Sequence, residues 1–381
     1  MVQLAVAVAL LASSPGSPIT SAPESARPAC ALKTYPRVGR QADAALRPGG
    51  PGLVLMGGGR DVDDAFRWMA RTINGPSGGP GGDVVVIRAS GDNAYDSYIH
   101  SLGRFNSVRT VVVPACATTR VLADAAALIR KAQGVFFAGG DQAEYVAWKG
   151  TALSFAVQRV YDRGGVVGGT SAGLAILGQF AYDSVAADRQ NTIVRSTDAI
   201  SNPYETSISF TAGMFAFPPL RDAITDSHFI ARDRVGRLAA FMARLSAAKT
   251  RLNRSVRILG IGINERTAIV IDSHGIGTLK TQGPKAATLM IVADRPAIAA
   301  PGEPLVYQGL TVTRLDRAGQ TFDFNRWCGH EATYRLSVDG RRKRFYSPAN
   351  PYASPPGALE PACASRAAHQ RPKLILRRCR E

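Results

Sequence analysis

Acidic residues are few in this chain: 29 Asp plus Glu stand against 46 Lys plus Arg in 381 residues, a formal charge of +17. Histidine is scarcer still, with five. Charged residues make up 20% and hydrophobic residues 45%, close to globular averages, which excludes a largely disordered chain. Gly 38 and Pro 23 are somewhat high but follow no period, so collagen-like and low-complexity readings fail. No apolar run is long enough to form a transmembrane segment. The apolar run Leu4 to Ala12 has signal-peptide length but lacks a cationic leader. Residues 1–26 are read as a signal peptide, which makes the mature protein soluble and secreted or periplasmic, with a cytoplasmic location as the alternative.

Metal and cofactor signals are also missing. Gly57-x-Gly59-x-x-Val62 lacks the third glycine of a dinucleotide fingerprint, no Walker sequence occurs, and no His-x-x-x-His or Cys-x-x-Cys is present. Neither a catalytic metal nor a cofactor is expected. Five cysteines, Cys30, Cys116, Cys328, Cys363 and Cys379, are too few for a disulfide scaffold. Their places near the start and around the tail fit one or two bridges that tie the ends down in an oxidising compartment. Cys116, after Val-Val-Val-Pro-Ala, reads as a buried core thiol. Residues 326–381 form a basic extension in which Arg341-Arg342-Lys343-Arg344 is the densest run. It lacks interleaved aromatics and any recognition-helix pattern, so a solvated or loosely associating tail is expected rather than a specific nucleic-acid partner.

Between these ends the pattern is regular. Residues 27–50, rich in Pro, Ala and Gly, read as a linker, and 51–325 as one catalytic domain. Apolar runs at Leu53–Met56, Val84–Ile87, Thr110–Val113, Val135–Phe137 and Val166–Val167 alternate with amphipathic segments at Val62–Ile73, Val121–Ala132 and Gln142–Arg163. That alternation predicts an α/β fold, a parallel sheet sandwiched by helices in three flavodoxin-like layers. The runs end in GGGRD, ASGD, AGGDQ and GGTSAG, and ligands of open parallel sheets sit at that carboxyl edge. Farther on, a helix is expected over Asp226–Ala248, strands over Ile258–Val270 and Ala287–Val292, and a hairpin-like segment over Leu310–Phe324.

The sharpest motif is Gly169-Thr170-Ser171-Ala172-Gly173, directly after an apolar strand. A Gly-x-Ser-x-Gly turn between strand and helix lifts the hydroxyl above the sheet and aims the following amide at an oxyanion. Ser171 is therefore the candidate nucleophile. Of the histidines, His228 opens the expected Asp226 helix and can reach back to the sheet edge; His274, in a turn between strands, is the weaker choice. The acid that orients the imidazole is Glu265, at the end of the Ile258–Ile263 run, with Asp183 and Asp188 as competitors. The order Ser…His…Glu does not fit α/β-hydrolases, where the acid precedes the histidine. Arg232, Arg234 and Arg237 beside His228 would make a carboxylate site, or else a solvated basic helix face. The Gly57–Gly59 loop is expected to bring backbone close to the active-site edge.

The ordered motifs LVLMGGG (53–59), FFAGGDQ (136–142), GGTSAG (168–173), DSHFIARDRVGRL (226–238), GIGINERTA (260–268) and LTVTRLDRAGQTFDF (310–324) resemble the dipeptidase E and cyanophycinase family of serine peptidases, nearest its cyanophycinase branch. The resemblance implies a fold like a class I glutamine amidotransferase domain. It implies Ser171 as nucleophile, His228 as base, Glu265 as orienting acid, and an oxyanion hole of backbone amides at Ala172 and the Gly139-Gly140 turn. It assigns Gln142, Asp226, Arg232, Arg234 and Arg237 to the substrate pocket. The implied substrate is poly-aspartate bearing arginine on its side chains, cut at β-aspartyl bonds to β-Asp-Arg. Alternatives are an exopeptidase on α-aspartyl dipeptides and a non-catalytic binding protein on the same fold; a homodimer is left open. Ser227 stands where cyanophycinases commonly carry Gln, and the stretch after Trp327 lies outside the resemblance.

Overall fold

Strands that are apolar on both faces must be covered on both, and the five central strands of the protein are buried along almost their whole length. A computed structural model describes residues 30–76, 78–251, 257–283, 287–293, 296, 298–331, 333–355, 359 and 363. These five strands run parallel in the order Phe105–Val112, Gly82–Arg88, Gly134–Phe137, Val166–Thr170 and Gly52–Met56. Alternate residues face opposite sides. Leu53, Leu55, Val135 and Phe137 pack under the helices Thr119–Ile129 and Ala152–Asp162. Val54, Met56, Val86 and Phe136 pack under Asp63–Asn74 and Ala94–Leu102.

The sheet is not purely parallel, and it is not alone. Thr267–Ile271 adds antiparallel to Gly52–Met56, and Ile276–Thr281, Thr321–Asp323 and Cys328–Gly329 continue outward. A second mixed sheet carries Ala223–Asp226 and Ile258–Ile263 as neighbouring parallel strands, extended by Thr288–Ala293, Val306–Leu315 and Thr333–Asp339. Leu259, Ile261 and Ile263 share a core with the first sheet. Ile258, Leu289, Ile291 and Val312 face the helix Val235–Arg251 instead.

Several expectations change accordingly. Ile258–Val270 is two strands in different sheets, broken at Asn264–Arg266, where Arg266 takes φ 58°. Leu310–Phe324 is not a hairpin, because Val306–Leu315 lies in the second sheet and Thr321–Asp323 in the first. Gln142–Arg163 splits into two helices, Gln142–Val146 and Ala152–Asp162. The helix expected from Asp226 starts at Val235, since His228 and Asp233, each at φ 47°, cannot continue one. The described parts of the linker and of the extension are more integrated than their composition suggests. Residues 30–50 lie along the edge of the first sheet: Lys33–Thr34 and Val38–Gly39 pair with Phe105–Val112, covering backbone groups that an open edge would expose. Cys116 is exposed and bonded to Cys30, not a core thiol, and Cys328 is bonded to Cys363. The extension contributes Thr333–Asp339 and Tyr346–Ser347 to the second sheet. The proposed signal segment, Cys379, His369 and the arginines at the carboxyl end lie outside the described residues.

The alternating Gly-Ile-Gly-Ile of the Ile258–Ile263 strand has a packing reason. Ile261 and Ile263 face the first sheet, while a Cβ on Gly262 would lie 2.3 Å from Cε1 of Phe229, a fully buried ring. Gly262→Ala is therefore expected to cost about 1–3 kcal/mol through overpacking, measurable as a lower midpoint in urea unfolding.

Candidate active site

The strand Val166–Thr170 ends abruptly at Ser171, whose φ 54° and ψ −114° turn the chain into the short helix Ala172–Ala175. Both glycines of the motif are required by close backbone. A Cβ on Gly169 would meet the Gly173 carbonyl oxygen at 2.4 Å, and one on Gly173 would meet the Phe137 carbonyl oxygen at 2.3 Å. Such a turn holds an unfavourable backbone conformation only where its surroundings over-determine it. Here the Ser171 amide also donates to the Met56 carbonyl at 3.2 Å.

His228 comes from the other sheet, two residues beyond Ala223–Asp226. Its amide donates to the Gly57 carbonyl at 2.7 Å, which ties the two sheets together at this point. Glu265 sits where the chain crosses from the second sheet to the first, between Ile258–Ile263 and Thr267–Ile271. The three side chains meet in line: Ser171 Oγ lies 2.8 Å from His228 Nε2, and His228 Nδ1 lies 2.7 Å from Glu265 Oε1. With Nδ1 donating to the carboxylate, Nε2 is left to accept the serine proton. Burial lowers the His228 pKa below the ordinary 6.5, and Arg232 and Arg234 push the same way against the bond from Glu265. The imidazole is thus neutral at neutral pH, as a general base must be.

The Gly57–Gly59 loop does lie against the site edge. A Cβ on Gly58 would lie 2.5 Å from the His228 ring, and one on Gly59 would lie 3.0 Å from Glu265 Cβ. Gly139 packs beside the Ser171 side chain, with a Cβ there 3.6 Å from Ser171 Cβ. The Gly139 turn is held by Tyr145, fully buried, whose hydroxyl donates to the Ala138 carbonyl at 2.9 Å. Gly140 and Ala172 line the same cleft as Ser171, and amides at a helix start have no intrahelical acceptor.

That cleft, of about 160 Å³, also takes in Gln142, Asp226, His228, Arg232, Arg234 and Arg237. The arginines do not form one free carboxylate site. Asp226 is buried, and Arg237 clasps it with Nε to Oδ2 at 2.8 Å and Nη2 to Oδ1 at 2.6 Å. Arg234 Nη1 reaches the same carboxylate at 3.2 Å and the Ser227 carbonyl at 2.8 Å. Burial pushes Asp226 up, but Arg237 and Arg234 together hold it below the usual carboxylate range. Burial brings Arg234 down to about 10, still a cation at neutral pH. Arg232 is exposed at the cleft.

Among the competitors, Asp183 accepts from Ser209 and Thr211 and braces neighbouring backbone. Asp188 lines the cleft but not the His228 ring, and His274 is exposed in the turn before Ile276–Thr281. Two contributors had no sequence signal of their own. Tyr145 is one. Asn264 is the other: its Oδ1 accepts from the Ile230 and Ala231 amides at 3.0 Å each, fixing the turn beyond His228. Its place directly before Glu265 was the available hint.

Removing the charge of Asp226 would leave two guanidinium groups facing each other without their carboxylate. Asp226→Ala is expected to destabilise the fold by roughly 3–5 kcal/mol, read as a large loss in the urea midpoint rather than a selective loss of substrate affinity.

No family model matches the chain. By sequence it is similar to the cyanophycinases of Synechococcus elongatus and Thermosynechococcus vestitus, each 26% identical over 248 residues, 64% of this chain and 69% of the relative. The cyanophycinase of a Nostoc species is 26% identical over 232 residues, 58% of this chain and 68% of the relative. Among solved structures, a peptidase from an acI-B1 actinobacterium aligns with a TM-score of 0.43 at 16% identity, over 73% of this chain and 98% of that one. A putative peptidase E protein from Listeria monocytogenes aligns with a TM-score of 0.38 at 15% identity, over 61% and 98%. By sequence, then, the chain is similar to the cyanophycinases over about two thirds of its length.

Proposed function

We propose that the protein is a serine peptidase of cyanophycinase type that hydrolyses the backbone peptide bonds between aspartates of an arginine-bearing poly-aspartate through an acyl-enzyme, because β-Asp-Arg can be released only if the β-aspartyl linkage to arginine stays intact. The observation that carries this reading is the in-line Ser171–His228–Glu265 set, with contacts of 2.8 and 2.7 Å, at the mouth of a cleft that also holds arginines. Ser171 Oγ attacks the aspartyl carbonyl as Nε2 of His228 takes its proton. Glu265 keeps the imidazole oriented and stabilises the cation. Amides at Ala172 and the Gly139-Gly140 turn receive the oxyanion. The imidazolium then protonates the leaving amine, and water activated by the same ring releases the aspartyl product. Each side-chain arginine of the polymer presents a free carboxylate, which meets exposed Arg232 first and Arg234 behind it, while Arg237 holds Asp226. The parallel core fits a class I glutamine amidotransferase-like plan, and the two disulfides support an oxidising location, secreted or periplasmic.

The deciding experiment is release of β-Asp-Arg from insoluble cyanophycin, with Ser171→Ala as control and an α-aspartyl dipeptide alongside. Release abolished by the substitution is expected; cleavage of the dipeptide alone would move the substrate to small α-aspartyl peptides. Absence of fluorophosphonate labelling at Ser171 would overturn the hydrolase reading itself.

Because protonation of His228 removes the base, kcat/KM should fall as pH drops through a value below 6.5. Arg232→Ala removes one of the charges that depress this histidine, so the acid limb should move to higher pH. It should also raise KM for an acidic peptide about ten-fold, the loss of a charge-assisted contact, with little change for a neutral ester. Equal losses on both substrates would refute the carboxylate contact.

A further inference from the structure

The turn from His228 to Arg234 carries both the base and the two arginines nearest the substrate, yet it is neither helix nor strand. Its own backbone supplies a few bonds, from Arg232 N to His228 O at 3.0 Å and from Arg234 N to Phe229 O at 2.9 Å. Asp233 stands at φ 47°, just before the helix Val235–Arg251. Onto this point the carboxyl-terminal extension sets one side chain. The Tyr352 hydroxyl donates to Asp233 Oδ1 at 2.5 Å and accepts from the Val235 amide at 3.1 Å, so it bridges the turn and the helix start. Its ring stands edge-on to Phe229, with centroids 6.1 Å apart and planes at 84°. Tyr352 is itself anchored: Arg314 Nε donates to its carbonyl at 2.9 Å, and Tyr334 donates to the adjacent Pro351 carbonyl at 2.6 Å.

We infer that Tyr352 is a positioning residue of the active site, acting through Asp233 and Phe229 to hold the His228–Arg234 turn in register with Ser171. The inference rests on the reading of Ser171, His228 and Glu265 as the reacting set. It makes the extension, which lies outside the family resemblance, a working part of the site. Tyr352 also accepts, at long range, from the Val235 amide, one of the helix-start amides that have no intrahelical acceptor.

Tyr352→Phe keeps the ring and removes the hydroxyl. The expected result is a loss in kcat/KM of about ten-fold on the acidic peptide, carried more by KM than by kcat because the arginines drift before the triad parts. The imidazole of His228, titrated by NMR, should move up toward the ordinary histidine value. The charged groups facing the ring are Glu265 from the crossover and Arg232 and Arg234 from its own turn, and release of the turn frees the ring from burial and from both arginines. Asp233→Asn, which keeps an acceptor for the hydroxyl, should behave as wild type. Asp233→Ala should reproduce Tyr352→Phe, and the double variant should be no worse than the poorer single one. Asp233 is exposed, so its variants carry the test if Tyr352→Phe does not fold. An unchanged His228 titration with rates within about two-fold of wild type, or additive losses in the double variant, would overturn the role. If the wild type neither cleaves peptide nor labels at Ser171, the catalytic reading fails, and the NMR titration still decides what Tyr352 does.

Discussion

The cleft depends on one close approach of backbone, the packing of Gly57–Gly59 against His228 and Glu265. The His228 amide bonds the Gly57 carbonyl, the Arg266 amide bonds the Gly58 carbonyl, and the Gly57 amide bonds the Thr267 carbonyl at 2.9 Å. These three bonds lock His228, the crossover bearing Glu265, and the edge of the first sheet onto a single loop. Any side chain at Gly57 would meet the Asn264 carbonyl oxygen at 2.0 Å. The glycines therefore serve geometry: they let two sheets deliver their residues to the same few ångströms.

Electrostatics then divides the labour among like charges. Three arginines near a neutral histidine would repel one another and a protonated ring alike. Asp226 absorbs this by pairing with Arg237 and Arg234 in the interior, where a buried carboxylate between two guanidinium groups is hydrogen-bonded on both oxygens. Arg237 also lies over the Tyr182 ring at 5.2 Å from its centroid. What remains for a ligand is Arg232 and the outer part of Arg234. The pocket therefore has a structural floor and a chemical rim, although both are written in the same short stretch of sequence.

Residues 30–50 and the described part of the extension complete the fold by edge and clasp. The strands at Lys33–Thr34 and Val38–Gly39 cover one edge of the first sheet, and the Cys30–Cys116 bond holds that cover in place. In the extension Thr333–Asp339 adds to the second sheet, and the chain then returns to the turn that follows His228. In both places an amino-acid composition typical of linkers and tails accompanies ordered structure, because pairing with an existing sheet edge requires backbone groups and few apolar side chains.

The local features were legible in the sequence for local reasons. Alternation of apolar runs identified the parallel strands and their helices, and Gly-x-Ser-x-Gly after such a run located the turn at Ser171, because strand period and glycine requirement act within a few residues. Motif order and neighbourhood pick out His228 and Glu265, and the fold brings both to Ser171. The path between them was not legible. The second sheet is built from strands far apart in the chain, and the break that sends Ile258–Ile263 and Thr267–Ile271 into different sheets depends on positive φ at Arg266, which no periodicity reveals. Likewise, composition makes Arg232, Arg234 and Arg237 look equivalent. Only the tertiary structure assigns two of them to Asp226 and leaves the third at the cleft. A side chain's chemistry is set by its own residue, but its partner is set by which distant backbone the fold brings within hydrogen-bond reach.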